Sequence, residues 1–143
     1  MKADAKTEAA VKAALSKLAE GYTKRDLAGV LALFASDSDV VMFGTGADEK
    51  RVGLAEIKAQ TERDWSQSEA TSLTYGWTSV SAAGSVAWVA ADVAFKAKVS
   101  GQEITLAGRL TGVLENRWDK WLIVQGHFSL PAIGQAEGES FPT

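Results

Sequence analysis

The chain has 143 residues, 46% hydrophobic and 23% charged, a balance that suits one folded domain and excludes a disordered chain. Its formal net charge of -3 and pI near 5.2 offer nothing to a phosphate backbone, so no nucleic acid is expected as a partner. With no cysteine, disulfides, thiolate nucleophiles and zinc–thiolate sites are ruled out.

From the N-terminus, Met1–Tyr22 mixes Ala, Lys, Glu and Leu without the apolar run of a secretory leader. Nor does any segment approach the roughly 20 apolar residues that cross a bilayer. The expectation is a cytoplasmic protein with no membrane partner. Val11, Ala14, Leu15, Leu18 and Tyr22 recur at helical spacing, predicting an amphipathic helix over about residues 6–24. Asp26 has the character of an N-cap for a short second helix with the apolar stripe Leu27, Val30, Leu31 and Phe34. Asp37 and Asp39 read as turn residues at its exit. Asp39–Phe43 reads as a short strand, Gly44–Lys50 as a loop, and Gly53–Ser66 as a third helix with Leu54, Ile57, Thr61 and Trp65 on one side. Asp48-Glu49-Lys50-Arg51 reads as a solvated loop, from which Arg51 could close a pocket mouth.

After residue 72 the pattern changes to strands, over Ser72–Ser81, Ser85–Val99, Gln102–Asn116 and Lys120–Leu130. Ala83-Gly84, Ser100-Gly101 and Asp119-Lys120 separate them, and connections this short join antiparallel neighbours. Helices first and a meander of long strands afterwards predict an α+β domain over residues 1–131, with a loosely held tail over 132–143. A two-residue loop at Ser100-Gly101 places Asp92 opposite Arg109, Ala90 opposite Thr111 and Trp88 opposite Val113 on one face. The other face pairs Val89 with Gly112, Ala91 with Leu110 and Phe95 with Leu106. Both faces carry large apolar groups, so both need cover: helices on one, and on the other a second copy of the chain, which predicts a homodimer through the outer sheet face.

The segment Trp121-Leu-Ile-Val-Gln-Gly-His127-Phe-Ser129-Leu-Pro131 resembles the last strand of the nuclear-transport-factor-2-like superfamily, and more narrowly its SnoaL-like group and the association domain of calcium/calmodulin-dependent protein kinase type II. The stretch from Leu33-Phe34 to Val52-Gly53-Leu54 is similar to the strand, loop and third-helix entry of that group, and the order of elements agrees over residues 6–131. The resemblance implies a cone: N-terminal helices on a strongly curved antiparallel sheet of cystatin-like type, with a pocket inside and dimerisation outside. It implies no single activity, since isomerases, dehydratases, cyclases and plain binding or oligomerisation domains share the fold. Where the kinase association domain often has a second histidine, this chain has Gln125, and that domain's pocket arginine falls at Asp92.

Two chemical readings follow. One is a binding or oligomerisation module whose cone holds a small apolar ligand without turnover. The other is a cofactor-free isomerase, cyclase or dehydratase with Asp92 and His127 as acid–base groups, a carboxylate enclosed in the cone being open to a raised pKa. Against it, Arg109 could neutralise Asp92, and a lone histidine is more often a satisfied structural group. Tyr22, Phe43, Trp65, Tyr75, Trp77 and Trp88, with Arg109, Thr111 and Gln125, are the candidate ligand contacts, core packing being the competing role of the aromatics. No metal-ligand spacing and no cofactor motif is present.

Overall fold

The computed structural model describes all residues, Met1–Thr143. Its elements are α1 (Ala5–Lys24), α2 (Leu27–Leu31), β1 (Val41–Phe43), β2 (Lys50–Val52), α3 (Leu54–Ser66), β3 (Ala70–Ala83), β4 (Val86–Val99), β5 (Gln102–Arg117) and β6 (Lys120–Ser129). One sheet holds all six strands in the order β2-β1-β6-β5-β4-β3. β1 runs parallel to β6, and every other neighbouring pair is antiparallel. Beyond Leu130 there is no helix or strand, and residues 131–143 are exposed. No helix is long and apolar enough to cross a membrane.

Local chemistry sets the boundaries. The Asp4 carboxylate accepts from the backbone N–H of Thr7 at 2.7 Å and starts α1, and Arg25, at φ 57°, ends it in the left-handed region. The Asp26 carboxylate accepts from Gly29 N–H at 3.0 Å and caps α2 as expected. That helix has only five residues, so Phe34 lies beyond it, where it makes an isolated parallel bridge to Ile123. The expected loop over Gly44–Lys50 in fact closes a hairpin: Lys50–Val52 is a strand, pairing with β1 from Val41–Val52 to Phe43–Lys50. The Ser100-Gly101 turn has φ of 50° and 76°, as a two-residue hairpin of the I′ type requires. It yields the expected register, with Val99 opposite Gln102 and Asp92 opposite Arg109.

Alternation along β4 separates the faces. Ala87, Val89, Ala91 and Val93 are at most 4% exposed and look toward the helices, while Trp88, Ala90, Asp92 and Lys96 look away. The core unites Val89, Val80, Leu114 and Ile123 from the sheet with Val11, Leu15, Val30, Phe34 and Ile57 from the helical layer. Two irregularities shape the sheet: the β3–β4 pairing shifts between Tyr75 and Thr78, and the β5–β6 pairing shifts between Val113 and Leu114, leaving Val124 as an extra residue.

Candidate ligand site at the open end of the sheet

The face on which Asp92 and His127 lie is the one turned away from the helices, and this corrects the expectation that they share the interior of a cone. Both are exposed. Their neighbours in register on that face are Arg109 for Asp92, and Thr111 and Phe43 for His127. β5 separates the two residues, which puts them on the order of 10 Å apart, beyond direct proton transfer. The physical reason is parity. The wholly apolar set Val89, Ala91 and Val93 is what helices bury best, so the mixed set must turn outward.

The other candidates divide between the two faces. Gln125, Thr111 and Arg109 are exposed on the outer face, Trp88 lies beside Val113 there, and the Phe43 ring sits 5.2 Å from that of His127. Trp77, in the β3 bulge, is 65% exposed. Thr74, Gly76, Asp92, Ala94, Ala107 and Arg109 border an open depression of about 570 Å³ on that side. Asp92 and Arg109 share it without joining any of the ion pairs. Tyr75 is on the inner face, where its hydroxyl donates to the Leu15 carbonyl at 3.0 Å and ties β3 to α1. Tyr22, Trp65 and Tyr75 are thus the candidates that lie between sheet and helices.

Around Tyr22 the structure builds a site from residues on α1, α3, β2, β4 and β6. The Tyr22 ring lies 5.7 Å from Trp65 and 5.7 Å from Phe95, and Phe95 lies 6.3 Å from Phe128. From the same residue a polar chain departs. The Tyr22 hydroxyl donates to Asp64 Oδ2 at 2.5 Å, Gln60 Nε2 donates to Asp64 Oδ1 at 2.6 Å, and Arg51 Nε donates to Gln60 Oε1 at 2.9 Å. The far ends of the two chains are linked by strand pairing in the sheet. Arg51 pairs across the hairpin with Met42, Met42 pairs with Gly126 and its sulfur fills the space a Cβ there would take, and Phe128 follows two residues along β6. Contacts among aromatic and polar side chains therefore run in one chain from Phe128 through Phe95, Tyr22, Asp64 and Gln60 to Arg51. All of these side chains are partly exposed.

A second tier holds this chain of contacts in place. Glu49 accepts from Gln60 at 3.1 Å and from Arg63 at 2.8 Å, and Arg63 also donates to Asp48 at 2.6 Å. Trp65 Nε1 donates to the Tyr22 carbonyl at 3.1 Å. Arg25 donates to the Trp65 and Ser68 carbonyls at 2.8 and 2.7 Å, fixing the C-terminal end of α3 to that of α1.

Electrostatics here are set by enclosure. Burial pushes the Asp64 carboxyl above its ordinary value; hydrogen bonds from Tyr22 and Gln60 oppose this, and Glu49 adds to it. Burial also raises the Tyr22 phenol, reinforced by the Asp64 charge and the hydrogen bond to it, so the phenol keeps its proton. In the second tier the opposite holds: the hydrogen bond from Arg63 lowers the Asp48 carboxyl. The Tyr22–Asp64 pair can thus present one donor and one acceptor to a ligand, or exchange a proton with it. No group of three or more metal-ligating side chains is assembled anywhere.

Sequence reasoning passed over Asp64, Gln60 and Arg63 and read Glu49 as part of a solvated loop, whereas its side chain is only 18% exposed. One signal was available. Gln60 and Asp64 stand four apart on α3, flanking the buried Ile57 and Thr61, a position for polar residues at the edge of an apolar stripe rather than in open solvent.

With helices packed on one face of a bent, mostly antiparallel sheet and a chain of polar and aromatic contacts at its open end, the architecture is that of the nuclear-transport-factor-2-like α+β class. The chain belongs to the SnoaL-like domain family, whose model matches residues 11–133. No curated protein sequence matches it significantly. Solved structures share the fold at low identity. A candidate dehydratase of the NTF2-like family from Streptomyces avermitilis is 17% identical with a TM-score of 0.78, over 86% of this chain and 94% of that one. A candidate scytalone dehydratase from Novosphingobium aromaticivorans is 14% identical with a TM-score of 0.80, over 92% and 95%. A candidate calcium/calmodulin-dependent protein kinase II association domain from Xanthomonas campestris is 24% identical with a TM-score of 0.72, over 92% and 91%.

Proposed function

We propose that the chain binds a small, mainly apolar molecule at the open end of its sheet, with Tyr22 and Asp64 holding one oxygen-bearing group of it. The observation that carries this reading is the meeting at Tyr22 of an aromatic chain and a hydrogen-bonded polar chain. Apolar walls with a few convergent polar groups are the usual make-up of a small-molecule site. The test is a thermal-shift screen of hydrophobic alcohols, ketones and acids on wild type, Tyr22→Phe and Asp64→Asn. A ligand at a hundred times its Kd adds about 2.7 kcal/mol of stability. The expected result is stabilisation of wild type that shrinks in both variants; stabilisation that survives in both would overturn the assignment of the site.

A second reading, cofactor-free isomerase or dehydratase chemistry, is favoured by a separate observation: a carboxyl raised by burial shares a short hydrogen bond with a phenol. In that reading the ionised Asp64 carboxylate takes a proton from carbon beside a carbonyl, and the Tyr22 hydroxyl turns its one O–H from Asp64 to the carbonyl oxygen as charge develops on it. The two candidate dehydratases of the same fold support it as analogy alone. Exchange of ligand α-protons with deuterated solvent would reveal the step, and Asp64→Asn is expected to slow it by about 10² to 10⁴. Wild-type exchange in that variant would end the reading.

The outer face completes the proposal as a homodimer surface. Trp77 at 65% and Phe43 at 36% exposure are large apolar groups without cover, and the unpaired Asp92 and Arg109 suit an isologous contact in which each meets the other's copy. Sedimentation of wild type as a dimer, and of Trp77→Glu as a monomer, is the expected pattern; monomeric wild type would refute it.

A further inference from the structure

We infer that the ligand of the open end carries a carboxylate and that Arg51 is the group that reads it, an inference that rests on the binding reading above and adds the ligand's charge class. Three arginines serve this end of the sheet; Arg25 is spent on the Trp65 and Ser68 carbonyls, and the other two differ in one respect. Arg63 is saturated: one terminal nitrogen donates to Asp48 at 2.6 Å and the other to Glu49 at 2.8 Å. Arg51 is anchored but unspent. Its Nε donates to Gln60 Oε1 at 2.9 Å, whereas its nearest carboxylate oxygen, on Asp48, is 3.8 Å from one terminal nitrogen and already belongs to Arg63.

Position gives that loosely paired guanidinium its meaning. The Arg51 side chain is 23% exposed. It lies on the helix-facing side of the sheet, because its cross-strand partner Met42 covers Gly126 on that side. A guanidinium held through Nε keeps its planar fork oriented, and the fork matches a carboxylate in a bidentate pair. Leaving it empty in a half-enclosed site is costly for the protein alone and favourable once an anion arrives.

The surroundings shape the rest of the ligand. Gln60 bridges Arg51 to Asp64, so a carboxylate on Arg51 lies near the Tyr22–Asp64 pair, which can engage an oxygen a few bonds away. Asp64 does not bar it. A second carboxylate nearby favours the neutral form of a carboxyl already raised by burial, and a neutral carboxyl donates rather than repels. Phe95 and Phe128 then face the body of the molecule. The ligand class is a hydrophobic carboxylic acid, with an oxygen substituent close to the carboxylate strengthening the fit.

The test is calorimetric titration of the full chain with 3-phenylpropanoate and 2-hydroxy-3-phenylpropanoate, and with their primary amides, which keep shape but lose charge. Wild type should prefer each acid to its amide, and Arg51→Gln should weaken the acids about ten- to a hundredfold while changing the amides little. Arg51→Lys keeps the charge but loses the fork and the Nε anchor, and should recover only part of the preference. Circular dichroism of each variant separates loss of the site from loss of the fold. Amides bound as tightly as acids, with binding still lost in Tyr22→Phe, would overturn the role of Arg51 and leave the binding site standing. Absence of binding by acids and amides alike would overturn both.

Discussion

At the packed end of the sheet, Val80, Val89, Leu114 and Ile123 meet Val11 and Val30 in a cluster of apolar side chains. At the open end, Tyr22 links the polar chain of Asp64, Gln60 and Arg51 to the rings of Phe95 and Phe128, and none of them is fully buried. The same strands run through both ends, so the difference lies in what faces inward along them. Burial at the first end stabilises in proportion to the apolar area removed from water. Hydrogen bonds at the second contribute only about 1 kcal/mol each, but they fix donors and acceptors in defined directions. One end carries stability, and in the proposed reading the other carries recognition on the rigidity the first provides.

Truncation at the packed end is the strongest way to break that contrast. Leu114, 1% exposed, should lose about 2–5 kcal/mol on replacement by alanine, read by urea denaturation, with ligand affinity of the folded fraction unchanged. At the open end, Tyr22→Phe removes the hydroxyl bonded to Asp64 and should cost about 1 kcal/mol while binding falls much further. A large loss of stability with intact binding would reverse the roles assigned to the two ends.

Asp64 sharpens the comparison through pH. Its carboxyl is raised in the folded state, so the folded protein holds the proton more tightly than the unfolded chain. Its contribution is full below the ordinary carboxylate range and is lost as pH rises through the folded value. The groups facing it are Tyr22 from α1, Gln60 and Arg63 from α3, and Glu49 from the β1–β2 loop. Denaturant titrations should show stability declining just above the ordinary carboxylate range in wild type and a flatter profile in Asp64→Asn. Asp48, lowered by Arg63, works in the opposite sense, losing its contribution as pH falls through the acid range. Asp92→Asn, on the exposed face, should move stability by no more than about 0.5 kcal/mol. A larger change in the monomer would mean that the outer face is more tightly coupled to the fold than its exposure indicates.

Much of the architecture was legible before any coordinates. The helical stripe of α1, the Asp26 cap and the β4–β5 register follow from local rules: apolar spacing of 3.6, a carboxylate facing free N–H groups, and a two-residue turn ending in glycine. The side on which Asp92 lies was harder to read. Ala90, Ala94 and Trp88 make the outer face nearly as apolar as the inner one, so hydropathy alone does not say which face the helices take. β2 escaped because three residues, two of them charged, give no alternating pattern. The chain of contacts itself escaped because it joins residues from α1, α3 and β2 that share no local motif, leaving only the Gln60–Asp64 spacing as a trace.

The two bulges carry a consequence for how such a sheet can change. Tyr75 and Val80 are an odd and an even position on β3, yet both point inward, and so do Ile123 and Phe128 on β6. The extra residue in each strand works like a frameshift, exchanging inside for outside partway along and allowing one strand to serve both ends of the domain. Deleting Val124 would therefore act as a change of reading frame rather than as the loss of one valine: either Ile123 or Phe128 would be turned out to solvent. Gain or loss of a single residue at these two points is a route by which this fold could abandon one inner surface and expose another without altering any other side chain.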